Sequence, residues 1–416
     1  WQKIFSHQRK RPLRILLLTT RFSTFIQYCI RDAAQGFKTL GHQTKTVIEK
    51  ADTDRLTFLE ILRNLSSFKP DMIFRIDHLR TEHEPIYPKN IPFVCWIQDE
   101  LPNLFNQQTA KSIGKRDILL VQGNTLMEEL LHIGYPSENI YPLPVPTNIN
   151  IYHPRNLTRE EREKYACDIS YISHLSLPPE RAFDNLLTQF SNLNVKEVLK
   201  IMFELTRERF HSGDDCYTKK DYEFILLEAE REKNTKITDT KTRAYILSHF
   251  YHKIGNAFFR QLPLEWIARE GYDIRIYGTG WDKHPRLSKY ARGVVSNGEE
   301  VCKVYNASKV NLQIHHLHNL HQRLIDGIAS GGFFLIKYHP VDYKKGELSD
   351  YFDINKDVVR FKGKIDLLKK VKFYLTHPEK RKLIVKRAQK KVLERLTYTS
   401  CMKFVIDTVK KQIEKS

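Results

Sequence analysis

An arginine, a carboxylate and two glycines lie within ten positions of one another in this chain, at a spacing that suits a phosphorylated ribose. They belong to the stretch Lys309–Pro340, which reads KVNLQIHHLHNLHQRLIDGIASGGFFLIKYHP. Val310 to Ile314 alternates apolar and polar residues and predicts a strand. A histidine-rich loop follows from His315 to Asn319. From His321 the period changes, because Leu324, Ile325, Ile328 and Ala329 fall at helical spacing. Gly331-Gly332 stops that helix, and Phe333 to Ile336 suits a buried parallel strand. The helix N-terminus, at about His321 to Arg323, offers unpaired N–H groups and the positive end of a dipole. An anion there gains about 0.3–1 kcal/mol, and up to about 2 kcal/mol when partly buried. Arg323 adds a fork of donors that fits phosphate oxygens. Asp326, one turn on, can accept both hydroxyls of a ribose in a charge-assisted bond of about 1.5–3 kcal/mol. The competing reading is an ordinary amphipathic helix whose Arg and Asp are solvated.

The elements needed to hold such a site recur along the chain. Leu13–Leu18, Thr44–Ile48, Met72–Ile76, Pro92–Ile97 and Asp117–Val121 read as strands. Helices are expected over Phe25–Leu40, from about Asp54 to Phe68, and over Thr125–Ile133. Strands alternating with helices predict an α/β fold with open parallel sheets and right-handed crossovers. Pro142 to Pro146 is a stiff hinge, after which Asp168–Ile172 opens a second unit. The charged, helical-patterned segment at about 184–264 reads as an insertion, broken at Gly213–Asp215 and again at Asn234–Asp239. Strand Asp273–Tyr277 then resumes the pattern.

Ligands of open α/β sheets bind beyond the carboxyl ends of the strands. In the first unit those ends present Arg21, Asp77, His78, Asp99, Glu100 and Asn124. Trp96 and Pro102 suggest an apolar surround for Asp99. Of the clustered histidines, His318 and His321 could meet on one helical turn, yet no Cys or carboxylate joins them to make a metal site.

The chain has 416 residues, 41% hydrophobic and 28% charged, which fits a globular protein of two or three domains. No apolar run approaches the ~20 residues of a membrane span, and residues 1–12 carry no stretch suited to a secretory signal. Six scattered cysteines without a C-x-x-C pair fit a reducing cytoplasm. Lys and Arg number 68 against 49 Asp and Glu, a formal charge of +19. That surplus suits anionic partners such as nucleotides, acidic glycans or the anionic inner face of a membrane. Nucleic acid is disfavoured, since neither an aromatic-interleaved basic motif nor a helix-turn-helix appears.

Ile325 to Gly331 resembles the Glu-Ala-Met-Ala-Cys-Gly signature of GT-B nucleotide-sugar glycosyltransferases, whose acidic residue binds the donor ribose. Arg323 and Asp326 are similar to the Arg-x-x-Glu pair of the CgeB-like, group-1-type domains, with Asp in place of Glu. Tyr277-Gly278-Thr279-Gly280-Trp281 is similar to a glycine turn of that family, and Gly293–Glu300, with Val295, to its loop under the donor base. Val145–Pro154 resembles the crossing between GT-B domains. The similarity covers 165–184 and 260–400, and over 1–150 it is one of topology alone.

The resemblance implies two Rossmann-like domains facing a cleft. Residues 1–152 would form the acceptor side and 153–398 the donor side, with 399–416 as a helix returning to the first domain. It implies a donor site built from Arg181, Gly278, Gly280, Val295, His321, Arg323 and Asp326, with Arg181 aimed at the diphosphate. It implies a metal-independent enzyme with no cofactor beyond its nucleotide-sugar substrate, acting on a glycan, lipid-linked or protein acceptor. Asp99 is the expected general base, with His78 the second choice. Retaining enzymes of the fold carry a sugar-contacting Glu eight positions before the ribose Glu, and here that position is His318. The rival readings are a GT-B epimerase and a catalytically silent GT-B protein.

Overall fold

The computed structural model describes residues 11–414 apart from 22, 52–54, 84–85 and 100. Glu100, one of the expected strand-end acids, therefore lies outside the described residues. The strands are β1 (Arg14–Thr19), β2 (Gln43–Ile48), β3 (Met72–Ile76), β4 (Phe93–Ile97), β5 (Asp117–Val121), β6 (Ile140–Pro142), β7 (Ile169–Ile172), β8 (Ile274–Tyr277), β9 (Val310–Gln313), β10 (Phe334–Lys337) and β11 (Val359–Phe361). They form a six-stranded sheet in the order β2-β1-β3-β4-β5-β6 and a five-stranded sheet in the order β11-β10-β9-β7-β8. Every pairing is parallel.

Strand β1 shows why the first sheet takes helices on both faces. Ile15 and Leu17 pack into one apolar cluster with Ile30 and Phe37 of the helix Thr24–Thr39. Leu16 and Leu18 pack into a second cluster with Ile61 of the helix Phe58–Phe68. A strand covered twice reads as a continuous apolar run, as RILLL does. The helix expected from Asp54 starts only at Phe58, because Thr57 and Glu60 cap each other's backbone there.

The second sheet is covered by the helical segment. Helices Leu193–Ser212, Lys219–Lys233 and Thr240–His249 break at Gly213 and at Asn234. The last of them runs on through a π-helical turn, Phe250–Gly255, into the helix Asn256–Ala268. A buried ion pair ties the segment to the sheet, with Lys337 Nζ on β10 lying 3.1 Å from the Asp215 carboxylate. Removing one partner of such a pair typically costs about 3–5 kcal/mol.

The final helix, Tyr398–Glu414, lies on the first sheet's helix Thr24–Thr39. Met402, Val405 and Val409 are fully buried in the same cluster as Ile30 and Phe37. Each large apolar side chain buried this way contributes about 1.5–3 kcal/mol. The two helices cross at Gly36, where a Cβ would stand 2.9 Å from the Tyr398 carbonyl oxygen. Among the described residues no helix is long and apolar enough to cross a membrane.

The crossing gives a direct test. Gly36→Ala forces the last helix off its neighbour and should lower stability by about 1–3 kcal/mol, read as a reduced urea midpoint. An unchanged midpoint would mean that the crossing does not set the packing.

Candidate functional site

The site is best built from the second sheet's strand ends. His321 caps the helix Gln322–Ala329, its Nδ1 accepting the Arg323 backbone N–H at 3.2 Å. That bond needs a free lone pair on Nδ1, so the ring is neutral. Burial pushes its pKa far below the usual value, and the Arg323 charge pushes it further. Arg323 Nη1 donates to the Ile172 carbonyl at 2.7 Å, at the end of β7. Arg260 reaches the same place from the opposite side. Its Nε donates to the Tyr171 hydroxyl at 3.2 Å and its Nη2 to the His174 carbonyl at 2.6 Å. These groups line a cavity of about 490 Å³ together with Ser173, His252, Asn256 and His315. Neither guanidinium has a carboxylate partner among the described residues. The imidazoles around them are held neutral. Burial, then Arg260 and Arg323, lowers His174, and burial first of all brings His316 down to about 3. The pocket is therefore a patch of fixed positive charge walled by neutral rings.

Arg260 was not found by sequence reasoning, which gave the segment 184–264 no legible role. It stands on the helix beyond the π turn, and π turns commonly mark functional sites. The signal was present. His252, Asn256 and Arg260 recur every fourth residue among the buried apolar residues Phe250, Ile254, Ala257, Phe258 and Phe259, with Lys253 turned out to solvent. A polar stripe on a buried helix must face something polar.

A second cavity, of about 570 Å³, lies between the two sheets. Gln98, Asp99, Gln122 and Gly123 line it from the first sheet, and His315, His318, His321 and Glu347 from the second. Several buried polar atoms here have no hydrogen-bond partner among the described residues: both amide atoms of Gln98, Nδ1 of His318 and Oε2 of Glu347. Buried polar groups are normally satisfied. A row of unused donors and acceptors around a cavity is what a polyhydroxylated ligand would complete.

Asp77 holds the first-sheet wall. It adopts a left-handed φ of 54°, and its Oδ1 accepts the N–H of Gln98 at 2.6 Å and of Asp99 at 3.1 Å. Burial raises its pKa to about 7, against the pull of those two bonds, with the charges of Asp99 and Glu82 adding to the rise.

The expected residues fall into two groups. His321 and Arg323 line the cationic cavity, and Asp99 and His321 line the cleft. The others are placed differently. Arg181 is exposed, because on the helix Pro179–Leu187 it is Ala182, Phe183 and Leu186 that turn inward. Arg260, not Arg181, lines the cavity beside Arg323. His78 is bonded to Glu82 at 2.6 Å and lines neither cavity. Gly278 serves a chain crossing, since a Cβ there would stand 2.2 Å from the Ser173 carbonyl oxygen, and a Cβ on Gly280 would meet Leu175 at 3.3 Å. Val295 packs half-buried beside Tyr165 and Val304.

Asp99 is exposed, while Trp96 turns into the core under the helix Thr24–Thr39, so the apolar surround expected for Asp99 is absent. Asp326 is only 5% exposed, and its Oδ1 has no partner among the described residues. Burial raises its pKa far above the carboxylate range and the nearby Asp32 adds to this, with Thr147 opposing. That direction favours the neutral acid over the charged acceptor expected. Asp326 interacts with Asp32, which lines a third cavity of about 370 Å³ with Asn148, Asn297 and Gln322. His315, His318 and His321 do cluster, with ring centroids 4.8 to 5.9 Å apart. Among the described residues no group of three or more His, Cys, Asp or Glu side chains is arranged to hold a metal ion.

Residues 257–407 match the family model described as glycosyl transferase-like. That part of the chain is similar to a glycosyl transferase-like domain. That domain begins inside the helix bearing Arg260, includes Arg323 and Asp326, and ends within the last helix. The catalytic domain of starch synthase IV from Arabidopsis thaliana, bound to ADP and acarbose, superposes with a TM-score of 0.55 at 10% identity, over 97% of this chain and 100% of its own. Sucrose-phosphate synthase from Thermosynechococcus elongatus superposes with a TM-score of 0.53 at 9% identity, over 98% of this chain and 100% of its own. Likenesses at such identity establish the fold, which is GT-B. No curated protein matches the sequence.

Asp77 supplies a pH test. Its folded pKa lies above its unfolded one, so the stability it contributes is complete below about pH 4 and is lost as the pH rises through about 7. Asp77→Asn, which cannot ionise, should gain stability relative to the wild type between pH 5 and pH 8, measured by urea unfolding at both. A difference independent of pH would show that the carboxyl is not held protonated.

Proposed function

We propose that the protein is a glycosyltransferase that moves a sugar from a nucleotide-sugar donor to a hydroxyl acceptor, in the manner of the CgeB-like group. The observation that carries this reading is the pair Arg260 and Arg323, two cations in one cavity with no carboxylate partner among the described residues. Buried charge without a partner is costly, and a diphosphate supplies the missing negative charge in a geometry that guanidinium groups bind well. The glycosyl transferase-like domain and the GT-B fold support the same chemistry.

In this reading the diphosphate lies against Arg260, Arg323 and the N-terminus of the helix Gln322–Ala329. The nucleoside extends toward Asn297 and Gln322, with Asp326 below the ribose as a neutral acid that both donates and accepts. The sugar projects into the cleft between the sheets. Asp99, at the cleft wall, takes the proton of the acceptor hydroxyl as its oxygen bonds to the anomeric carbon. The bond from that carbon to the phosphate breaks, and the nucleoside diphosphate leaves with the electron pair. Charge developing on the leaving group is met by groups already fixed in place, which do the work of a divalent ion, so the enzyme is metal-independent. The acceptor is a glycan, lipid-linked or protein hydroxyl. The surplus positive charge suits meeting a lipid-linked acceptor at an anionic membrane surface.

Two substitutions separate the roles. Arg323→Ala should weaken binding of a nucleoside diphosphate by about 1.5–3 kcal/mol, the worth of charged hydrogen bonds, and leave the matching nucleoside nearly unaffected in calorimetry. Equal losses for both would make Arg323 structural. Asp99→Asn should lower kcat by about 10²–10⁴-fold with donor affinity retained, since general-base catalysis contributes on that order. Near-normal turnover would remove Asp99 from the mechanism.

A further inference from the structure

Glu347 is fully buried, yet it belongs to a loop that reaches across to the other sheet's domain. Its Oε1 accepts the backbone N–H of Asn124 at 2.5 Å, at the start of the helix Asn124–Ile133. That helix has Gly123 as its N-cap and no side-chain cap of its own, so the first domain takes its helix cap from the second. The neighbouring contacts follow the same path. The Asn124 side chain donates to the Lys345 carbonyl at 3.3 Å, and Lys344 Nζ lies 2.6 Å from the Glu128 carboxylate.

One carboxylate oxygen is thus committed to the backbone, which fixes the direction of the other. That other oxygen, Oε2, is buried and has no hydrogen-bond partner among the described residues, and Glu347 lines the cleft cavity. His318 stands beside it, because a Cβ built on Gly123 would lie 3.6 Å from Glu347 Oε1 and 3.7 Å from His318 Cδ2. His318 Nδ1 likewise has no partner among the described residues. Both buried atoms belong to residues that line the cleft cavity, which adjoins the cationic cavity through His321, a residue lining both.

We propose that Glu347 Oε2, with His318 beside it, binds the hydroxyl groups of the transferred sugar. The proposal rests on the nucleotide-sugar reading of the cleft. A carboxyl group anchored through one oxygen presents the other at a fixed position, which suits a ring hydroxyl. Burial raises the pKa of Glu347 to about 8, with the Asn124 N–H opposing, and a neutral carboxyl both donates to a sugar oxygen and accepts from a sugar hydroxyl. The same side chain is held through Oε1 by the first domain, which keeps Oε2 in place.

The test compares paired ligands on the full chain by calorimetry: UDP with UDP-glucose, GDP with GDP-mannose, and ADP with ADP-glucose. For whichever pair the wild type binds, Glu347→Ala should weaken the nucleotide sugar at least tenfold and the free diphosphate less than threefold. Glu347→Gln, which keeps an acceptor for the Asn124 N–H, should still lose more affinity for the nucleotide sugar than for the diphosphate. Lys344→Ala and Glu128→Ala break the adjacent link between domains without touching the carboxyl, and should change either affinity less than threefold. Equal losses for both ligands, or none, in both Glu347 variants would overturn the proposal. So would Lys344→Ala or Glu128→Ala reproducing the selective loss, since Glu347 would then act as a latch alone. A wild type that binds the diphosphates but discriminates no sugar would also overturn it while leaving the cationic pocket standing. A wild type that binds none of the six ligands would overturn the nucleotide-sugar reading as well.

Discussion

Positive charge without a counter-ion is the constraint on which the rest of this molecule turns. Among the described residues Arg260 and Arg323 are fixed by neutral acceptors, the Tyr171 and Ser173 hydroxyls, the His321 ring and the carbonyls of Ile172 and His174. Placing two guanidinium groups in one cavity is unfavourable, and their neighbours are arranged so as not to worsen it. His174, His315, His316 and His321 all have their pKa values lowered, burial being the first cause in each, so no further cation forms beside them. Neutrality in turn gives His321 the lone pair with which it caps the helix that carries Arg323. Pocket charge, tautomer and helix start are one linked arrangement.

The second constraint is the seam between domains. The last helix binds the chain's end to the first sheet's helix Thr24–Thr39, around the close crossing at Gly36. On the other side of the cleft, Asn124 takes its cap from Glu347 and Glu128 pairs with Lys344. The walls of the cleft are therefore tied together at both margins, and its lining residues include polar atoms that have no partner among the described residues.

Local pattern made the core of the fold legible. The stretch Lys309–Pro340 reads as strand, loop, helix and strand, and it folds as β9, the helix Gln322–Ala329 and β10. The breaks at Gly213 and Asn234 were equally clear, because a residue able to adopt positive φ ends each helix. The site was less legible, for physical reasons. Arg260 and Glu347 meet the pocket through folding across long sequence separations, and no local spacing records that. Asp99 and Trp96 follow one strand but point to opposite environments, because a strand covered on both faces hides its alternation behind a continuous apolar run. Arg181 could be placed on a helix, but its exposed face follows from Ala182, Phe183 and Leu186 taking the core. Asp326 was read by type as a charged acceptor, whereas its pKa is set by burial and by Asp32, which comes from the other domain.

The most direct measurement is hydrogen–deuterium exchange on the full chain with and without a saturating nucleoside diphosphate. The account predicts slowed backbone exchange in three separate segments at once, 172–176, 252–260 and 315–323, because the ligand joins the strand ends, the helix bearing Arg260 and the capped helix. Protection confined to other surfaces, such as the separate cavity lined by Arg207, His211 and Arg286, would contradict it. So would a diphosphate that protects none of the three.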